Sequence, residues 1–333
     1  MIQTGELINR ARALAYEALR EDTRYNGNPF IEHPDGVARI LSDQIGLSGE
    51  CIAAVYLHEA WRMHPEIEIS GFPDEVMTIV DGLGKISSIK PKDTRLEAEN
   101  YKKLIVQYST DPRVTVIKIA DRLEVMRNLA MFPKSSRDQK NLETLMLYIP
   151  LAHQLGLYRI KSELEDIFLK YTEPEQYKEI TRRIKETEPQ REALVERFIN
   201  PLREKLDREG IRYVLKARTK SPYSIWKKMQ AQQITFNKVY DLFAMRFIID
   251  CEPDHAKEEA LCWKVYSLVT EEYTPDTKRL RDWISKPRDN GYESLHTTVQ
   301  TKEGLPVEVQ IRTTRMDYIA EQGGAAHWSY KGI

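Results

Sequence analysis

The chain has 333 residues, enough for two buried cores at roughly 100–200 residues per domain. With 41% hydrophobic and 30% charged residues and a mean hydropathy of -0.54, it falls outside the collagenous, disordered and membrane-spanning classes. Its 50 basic and 51 acidic residues leave a net charge of -1, so a polyanionic ligand must be met by a local cluster, and three scattered cysteines (Cys51, Cys251, Cys262) fit a reducing compartment better than a disulfide framework or a zinc knuckle.

The first segment places Ile8, Ala11, Leu14, Ala15, Ala18 and Leu19 at helical spacing. Glu6 and Arg10 interrupt it where an export signal would be apolar, and runs such as 145–152 are far short of the roughly 18 residues of a membrane span. A cytoplasmic chain with no membrane contact is expected. The same spacing predicts helices near 35–46, 50–63, 73–82, 94–108, 111–131, 137–153, 158–171 and 174–206, separated by turn signals such as Asn26-Gly27-Asn28-Pro29 and Phe132-Pro133. The highly charged stretch 173–208 reads as a solvated linker helix. After Gly210 the pattern changes: β-rich runs at 211–217 and 242–249, helices near 221–232 and 255–273, and alternating strands at 294–300 and 305–312 predict an α/β domain with a mixed sheet.

Basic residues crowd two places in this second half: Arg218, Lys220, Lys227, Lys228 and Arg246, and then Arg279, Arg281, Lys286 and Arg288. Such density in a neutral protein suggests a phosphate pocket. Asp241 and Glu308 are carboxylates in or beside strands, and alternation along β-strand residues puts Glu308 and Gln310 on the face opposite Val307, Val309 and Ile311. From periodicity alone, a solvent-facing strand and a catalytic one read alike. Tyr292, after the turn Asn290-Gly291, offers a ring on which a base could stack or a residue that merely packs.

The ordered runs Lys216-Ala-Arg218-Thr-Lys220-Ser-Pro-Tyr-Ser224-Ile-Trp-Lys-Lys228, Asp241-Leu-Phe-Ala-Met-Arg246, Asn290-Gly-Tyr-Glu-Ser-Leu-His296, Val307-Glu308-Val-Gln310-Ile-Arg312 and Ala325-Ala-His327-Trp328 resemble the synthetase domain of Rel/SpoT-type alarmone enzymes over 205–333. The resemblance implies a nucleotidyltransferase-like fold that moves the β,γ-pyrophosphate of ATP to the 3′-hydroxyl of GDP or GTP, giving (p)ppGpp and AMP. It implies that Asp241 and Glu308 hold Mg²⁺, with Glu308 also placed to take the 3′-hydroxyl proton. Arg218 and Arg246 would sandwich adenine, and Lys220, Ser224 and Lys228 would contact ATP phosphates. Arg281, Arg288, Asn290, Tyr292, His296 and Gln310 would form the GDP/GTP site, with Tyr292 stacked on guanine. The loop Arg279-Leu280-Arg281-Asp282 is of the basic type that the family shows in bifunctional members.

Pro29-Phe-Ile-Glu-His33-Pro34, Leu57-His58-Glu59 and Ile117-Lys-Ile-Ala-Asp121-Arg122 resemble the anchors of the family's HD-type hydrolase domain, where two histidines and two aspartates bind Mn²⁺. Here Glu59 stands for the first aspartate, and Arg62-Met63 replaces an acidic pair that assists the attacking water. Two unit charges about 4 Å apart at an effective dielectric of 20 interact by roughly 4 kcal/mol, and replacing an anion by a cation turns that term from one sign to the other. Val125 and Asn128 also depart from the family's pattern, while Arg24 and Asn26-Gly27 resemble the mouth of its nucleotide pocket. The expected plan is an all-α HD-type (pseudo)hydrolase domain at 1–172, a helical linker at 173–204 and the synthetase domain at 205–333. The HD site (His33, His58, Glu59, Asp121) is expected to have lost Mn²⁺-dependent hydrolysis and to act as a regulator; the alternative is a bifunctional enzyme with weak hydrolase activity. Regulatory-domain or ribosome contacts are implied only if the chain continues past residue 333.

Overall fold

A computed structural model describes residues 4–47, 49–87, 111–239, 242–302 and 304–322. The helix expected near 94–108, Asp241 and the His327-Trp328 pair lie outside the described residues. The chain divides into two compact units, the first running to Phe168 and the second beginning at Leu169. No helix among the described residues is long and apolar enough to cross a membrane.

The first unit is helical. α1 (Thr4–Ala18) buries Leu7, Ala11 and Ala15, one residue per turn. α2 (Glu32–Ile40) runs into a wide π-turn (Leu41–Ile45) that ends at Gly46, whose φ of 77° is where a residue without Cβ is favoured. α3 (Gly49–Met63) is buried from Cys51 to Ala60 and packs between α1 and α4 (Asp74–Ser87). α5 (Pro112–Arg127) starts on Asp111, whose side chain accepts from Arg113 N at 2.9 Å, and packs on α2. α6 (Lys134–Glu143), a second π-turn (Thr144–Tyr148), α7 (Ile149–Gln154) and α8 (Tyr158–Thr172) follow.

In the second unit, α9 (Pro174–Glu186) and α10 (Glu188–Arg208) precede β1 (Tyr213–Thr219), α11 (Pro222–Gln232), β2 (Phe243–Ile249), α12 (His255–Glu272), β3 (Thr274–Pro275), β4 (Arg281–Asp282), β5 (Leu295–Gln300), β6 (Pro306–Thr313) and α13 (Thr314–Gln322). The sheet order is β1-β2-β6-β5-β3, with β4 also paired to β5; β2 and β6 are parallel and the other pairs antiparallel. This is the expected α/β domain with a mixed sheet. One sheet face, including Met245, Phe247, Ile249, Val307, Val309 and Ile311, closes a core with α10 and α12.

The solvated linker expected at 173–204 is not what forms. The helical run breaks at Thr187, just before Pro189, whose ring nitrogen cannot donate to the preceding turn. Beyond the break, Phe198, Ile199, Leu202 and Leu206 of α10 are core residues, and α9 packs on α11. The charged residues of α10 occupy its outer face and mask an apolar stripe at three- and four-residue spacing. Leu202 is fully buried, so Leu202→Ala is expected to destabilise the unit by about 2–5 kcal/mol, read from urea unfolding. A true linker residue would leave the midpoint unchanged.

Candidate functional site

The sheet face opposite the core is polar, because β2, β6 and β5 each point every second residue away from it. Register sets Lys216, Arg246, Gln310, His296 and Arg281 in one cross-strand row, and Arg218, Ala244, Glu308 and Thr298 in the next. Glu308 accepts from Gln310 Nε2 at 2.9 Å, with Lys220 Nζ and His296 Nδ1 each 3.6 Å from its carboxylate. His296 first, and then Gln310 and Lys220, outweigh burial and lower the Glu308 carboxyl to about 2. Burial lowers the His296 imidazole below its ordinary value. Its Nε2 lies 2.8 Å from the Tyr292 hydroxyl, so with a proton on Nδ1 toward Glu308 the tyrosine is the donor.

The Tyr292 ring stands edge-on to Trp283, centroids 5.8 Å apart, and the Arg288 guanidinium lies 3.9 Å from the Trp283 centroid. Asn290 Oδ1 accepts from Tyr292 N at 3.2 Å, and Gly291 turns with φ 76°. Arg281 is exposed and donates to the carbonyls of Lys278 and Leu280, so in this structure it serves its own loop. On the other side, Arg218 is exposed on β1, while Ser221 caps α11 by accepting from Ser224 N; Lys228 is half-buried on that helix.

Arg246 is 5% exposed, and its Nη1 donates to Glu321 at 2.8 Å and to Asp317 at 3.4 Å. Burial, followed by the like charges of Arg312 and Arg218, holds its guanidinium below the ordinary value. Arg312, 1% exposed, pairs with the same two carboxylates. Sequence reasoning missed this four-charge cluster and the Trp283 platform. The available signal was an arginine on an inner strand with acidic residues one and two turns into the next helix.

The first unit holds a cavity of about 450 Å³ lined by aromatic residues, among them Phe30 and Phe132, and by Arg24, His33, Glu59, Arg62, Lys118 and Asp121. His33 Nε2 lies 3.3 Å from Asp121 Oδ1, and His33 Nδ1 is 2.5 Å from Glu124, which also accepts from Arg24 at 2.8 Å. Burial opposes charge on His33, but hydrogen bonds to Asp121 and Glu124 and the charge of Glu59 outweigh it and hold the group up to about 10. Burial pushes His58 down to about 4; its Nε2 faces Ser87 Oγ at 3.2 Å. Arg62 turns inward, its Nη2 2.6 Å from Glu59, and Lys118 Nζ lies 2.5 Å from Asp121. Glu124 and Lys118 were missed although each is three residues from Asp121 on α5, hence on its face.

The nitrogen and carboxylate donors His33, His58, Glu59 and Asp121 are of a type that Mn²⁺ accepts. As the side chains stand, no three His, Cys, Asp or Glu groups among the described residues converge on one point, and an ion held by these four would have to displace Arg62 from Glu59 and Lys118 from Asp121. On the sheet face, the ionised oxygens of Glu308 suit a hard cation such as Mg²⁺.

Residues 217–333 match the region found in RelA / SpoT proteins, and residues 11–158 match the HD domain. Over 99% of its length the chain is 37% identical to a guanosine-3′,5′-bis(diphosphate) 3′-pyrophosphohydrolase of Aquifex aeolicus, covering 46% of that protein. Over 97% it is 35% identical to the bifunctional (p)ppGpp synthase/hydrolase SpoT of Escherichia coli, again covering 46%. Over 99% it is 36% identical to a GTP pyrophosphokinase of Streptomyces coelicolor, covering 38%. The chain thus spans less than half the length of these relatives.

Glu308 titrates near 4.5 in the unfolded chain and near 2 in the folded unit, so its stabilisation is complete above about pH 4.5 and is lost as the pH falls through about 2. In metal-free buffer, the stability difference between wild type and Glu308→Gln is expected to shrink steadily between about pH 5 and pH 2. Urea unfolding across that range checks it, and a pH-independent difference contradicts it.

Proposed function

We propose, since this chain belongs to the RelA/SpoT family of (p)ppGpp synthetase/hydrolase enzymes, that its second unit is a synthetase that moves the β,γ-pyrophosphate of ATP to the 3′-hydroxyl of GDP or GTP. The observation that carries this reading is Glu308, kept anionic on a polar sheet face between Lys220 and His296, with the Tyr292 hydroxyl against that histidine. In the reaction, the 3′-oxygen bonds to the β-phosphorus of ATP, the bond from that phosphorus to the α,β-bridging oxygen breaks, and AMP departs.

Asp241 and Glu308 would hold Mg²⁺, which supplies neutralisation of the phosphate charge. Lys220, Ser224 and Lys228 would bind the donor's phosphates. Arg218 and Arg246 would flank adenine, for which Arg246 must exchange its hold on Glu321 and Asp317. Arg281, Arg288, Asn290, His296 and Gln310 would line the acceptor site around a guanine stacked on Tyr292. A carboxylate as weakly basic as Glu308 favours a role as ion ligand over that of proton acceptor.

For the first unit, the relatives named as hydrolase or bifunctional enzymes favour a retained 3′-pyrophosphohydrolase over the inactive domain that the substitutions suggest. The Arg62–Glu59 and Lys118–Asp121 pairs favour a slow one, because assembling a metal site there means breaking both. The reading is a bifunctional chain with weak Mn²⁺-dependent hydrolysis.

Incubation with ATP, GDP and Mg²⁺, followed by separation of nucleotides, is expected to yield AMP and a 3′-pyrophosphorylated product, and Asp241→Asn or Glu308→Gln to reduce it at least about a hundredfold. Undiminished product from either variant would sink the synthetase assignment. With ppGpp and Mn²⁺, slow pyrophosphate release is expected, rising about tenfold or more in Arg62→Glu/Met63→Asp. No release from wild type or variant would leave the domain without hydrolase function.

A further inference from the structure

We infer that Arg315 is a positioning residue, which holds the guanine-stacking loop in place by clamping Glu293 to the buried carboxylate of Glu258. The inference rests on the synthetase reading above. Glu258, in the first turn of α12, is 1% exposed, and a carboxylate so deep persists only when it is paired. Its Oε1 accepts from the Thr313 hydroxyl at 2.6 Å and from Arg315 Nε at 3.0 Å, and Arg315 Nη2 lies 2.7 Å from its Oε2. One edge of the guanidinium is thereby aimed. The same Nη2 reaches on to Glu293 Oε2 at 2.5 Å. A rigid planar fork can serve two carboxylates at once, which a single ammonium on a flexible stem does poorly.

Glu293 sits between Tyr292 and Ser294, and Ser294 Oγ donates to the Ile311 carbonyl of β6 at 3.2 Å. Between β4 and β5 the loop has no helix or strand of its own; Ile284 anchors its start in the core and Ser285 Oγ donates to Glu259 of α12 at 2.8 Å, while the far half closes on turn bonds such as Arg288 N to Tyr292 O at 3.2 Å. The Arg315 clamp ties the half that carries Tyr292 to α12 and α13. A stacking ring gives its full binding energy only when it is held in place before the base arrives. The donor residues Arg218, Lys220 and Arg246 belong to β1, its following turn and β2, across β6 from this loop, so releasing Glu293 while Arg315 stays on Glu258 acts first on the acceptor side.

Glu293→Gln weakens the clamp while keeping side-chain size and leaving Glu258 paired with Arg315, so the unit is expected to fold with an unchanged melting temperature. In the purified chain, the KM for GDP should rise about five- to tenfold, with the KM for ATP and kcat within about twofold of wild type; Glu293→Asp should recover part of the loss. Calorimetric GDP binding without ATP reads the same effect independently of turnover, as a similar loss in the component that Tyr292→Ala removes. A Tyr292-dependent component unmoved by Glu293→Gln overturns the clamp alone. Equal rises in both KM values with a lowered melting temperature also overturn it, since the pair would then be merely structural. Absence of any Tyr292-dependent GDP binding overturns the synthetase reading together with the clamp.

Discussion

A β-strand turns successive side chains to opposite faces, and in the second unit β6 must satisfy both of its faces at once. Val307, Val309 and Ile311 complete the core while Glu308, Gln310 and Arg312 emerge together on the other side. Because β6 lies between β2 and β5, its polar residues meet Arg246 on one flank and His296 on the other. A slip of one residue would bury Glu308 and expose the valines, so the same hydrophobic free energy that stabilises the core fixes the position of the carboxylate.

The charges on that face are compensated in two ways. Arg246 and Arg312 are nearly buried and share Asp317 and Glu321 from α13, whereas Glu308 has Lys220 Nζ only at 3.6 Å and accepts from Gln310. The first unit is different: Glu59, Asp121 and Glu124 are each in close contact with a lysine, arginine or histidine. Close pairing stabilises a buried carboxylate but makes it costly to recruit for anything else. The carboxylates of the two units are thus unequally available.

Helix and strand positions were largely legible because periodicity is a local property: 50–63 and 255–273 were expected where α3 and α12 lie, and alternation located β5 and β6. Charge density misled at α10, where an outer face rich in Glu and Arg drew attention from Phe198, Ile199, Leu202 and Leu206. Partnerships over long separations were not legible. Glu124 binds a histidine 91 residues earlier, and Arg315 binds carboxylates 57 and 22 residues away; nothing in the spacing of either residue announces its partner. Arg62 was visible as an odd cation, but its direction, inward onto Glu59, needed coordinates.

The parallel pairing of β2 with β6 has a consequence for how the chain acquires its shape. Antiparallel neighbours can form early, as β5 and β6 do across a short turn at Gly304, but β2 must wait while α12 and the whole loop after it are synthesised. Until β6 arrives, β2 has an open edge and an apolar face awaiting the strand that completes the core. During that interval the nascent domain is most exposed to strand-exchange aggregation and to proteolysis, and a ribosome that stalls before residue 306 would leave a fragment with half a sheet. The strand that completes the sheet is also the one that brings in Glu308, so the polar face is assembled only when the core beneath it is.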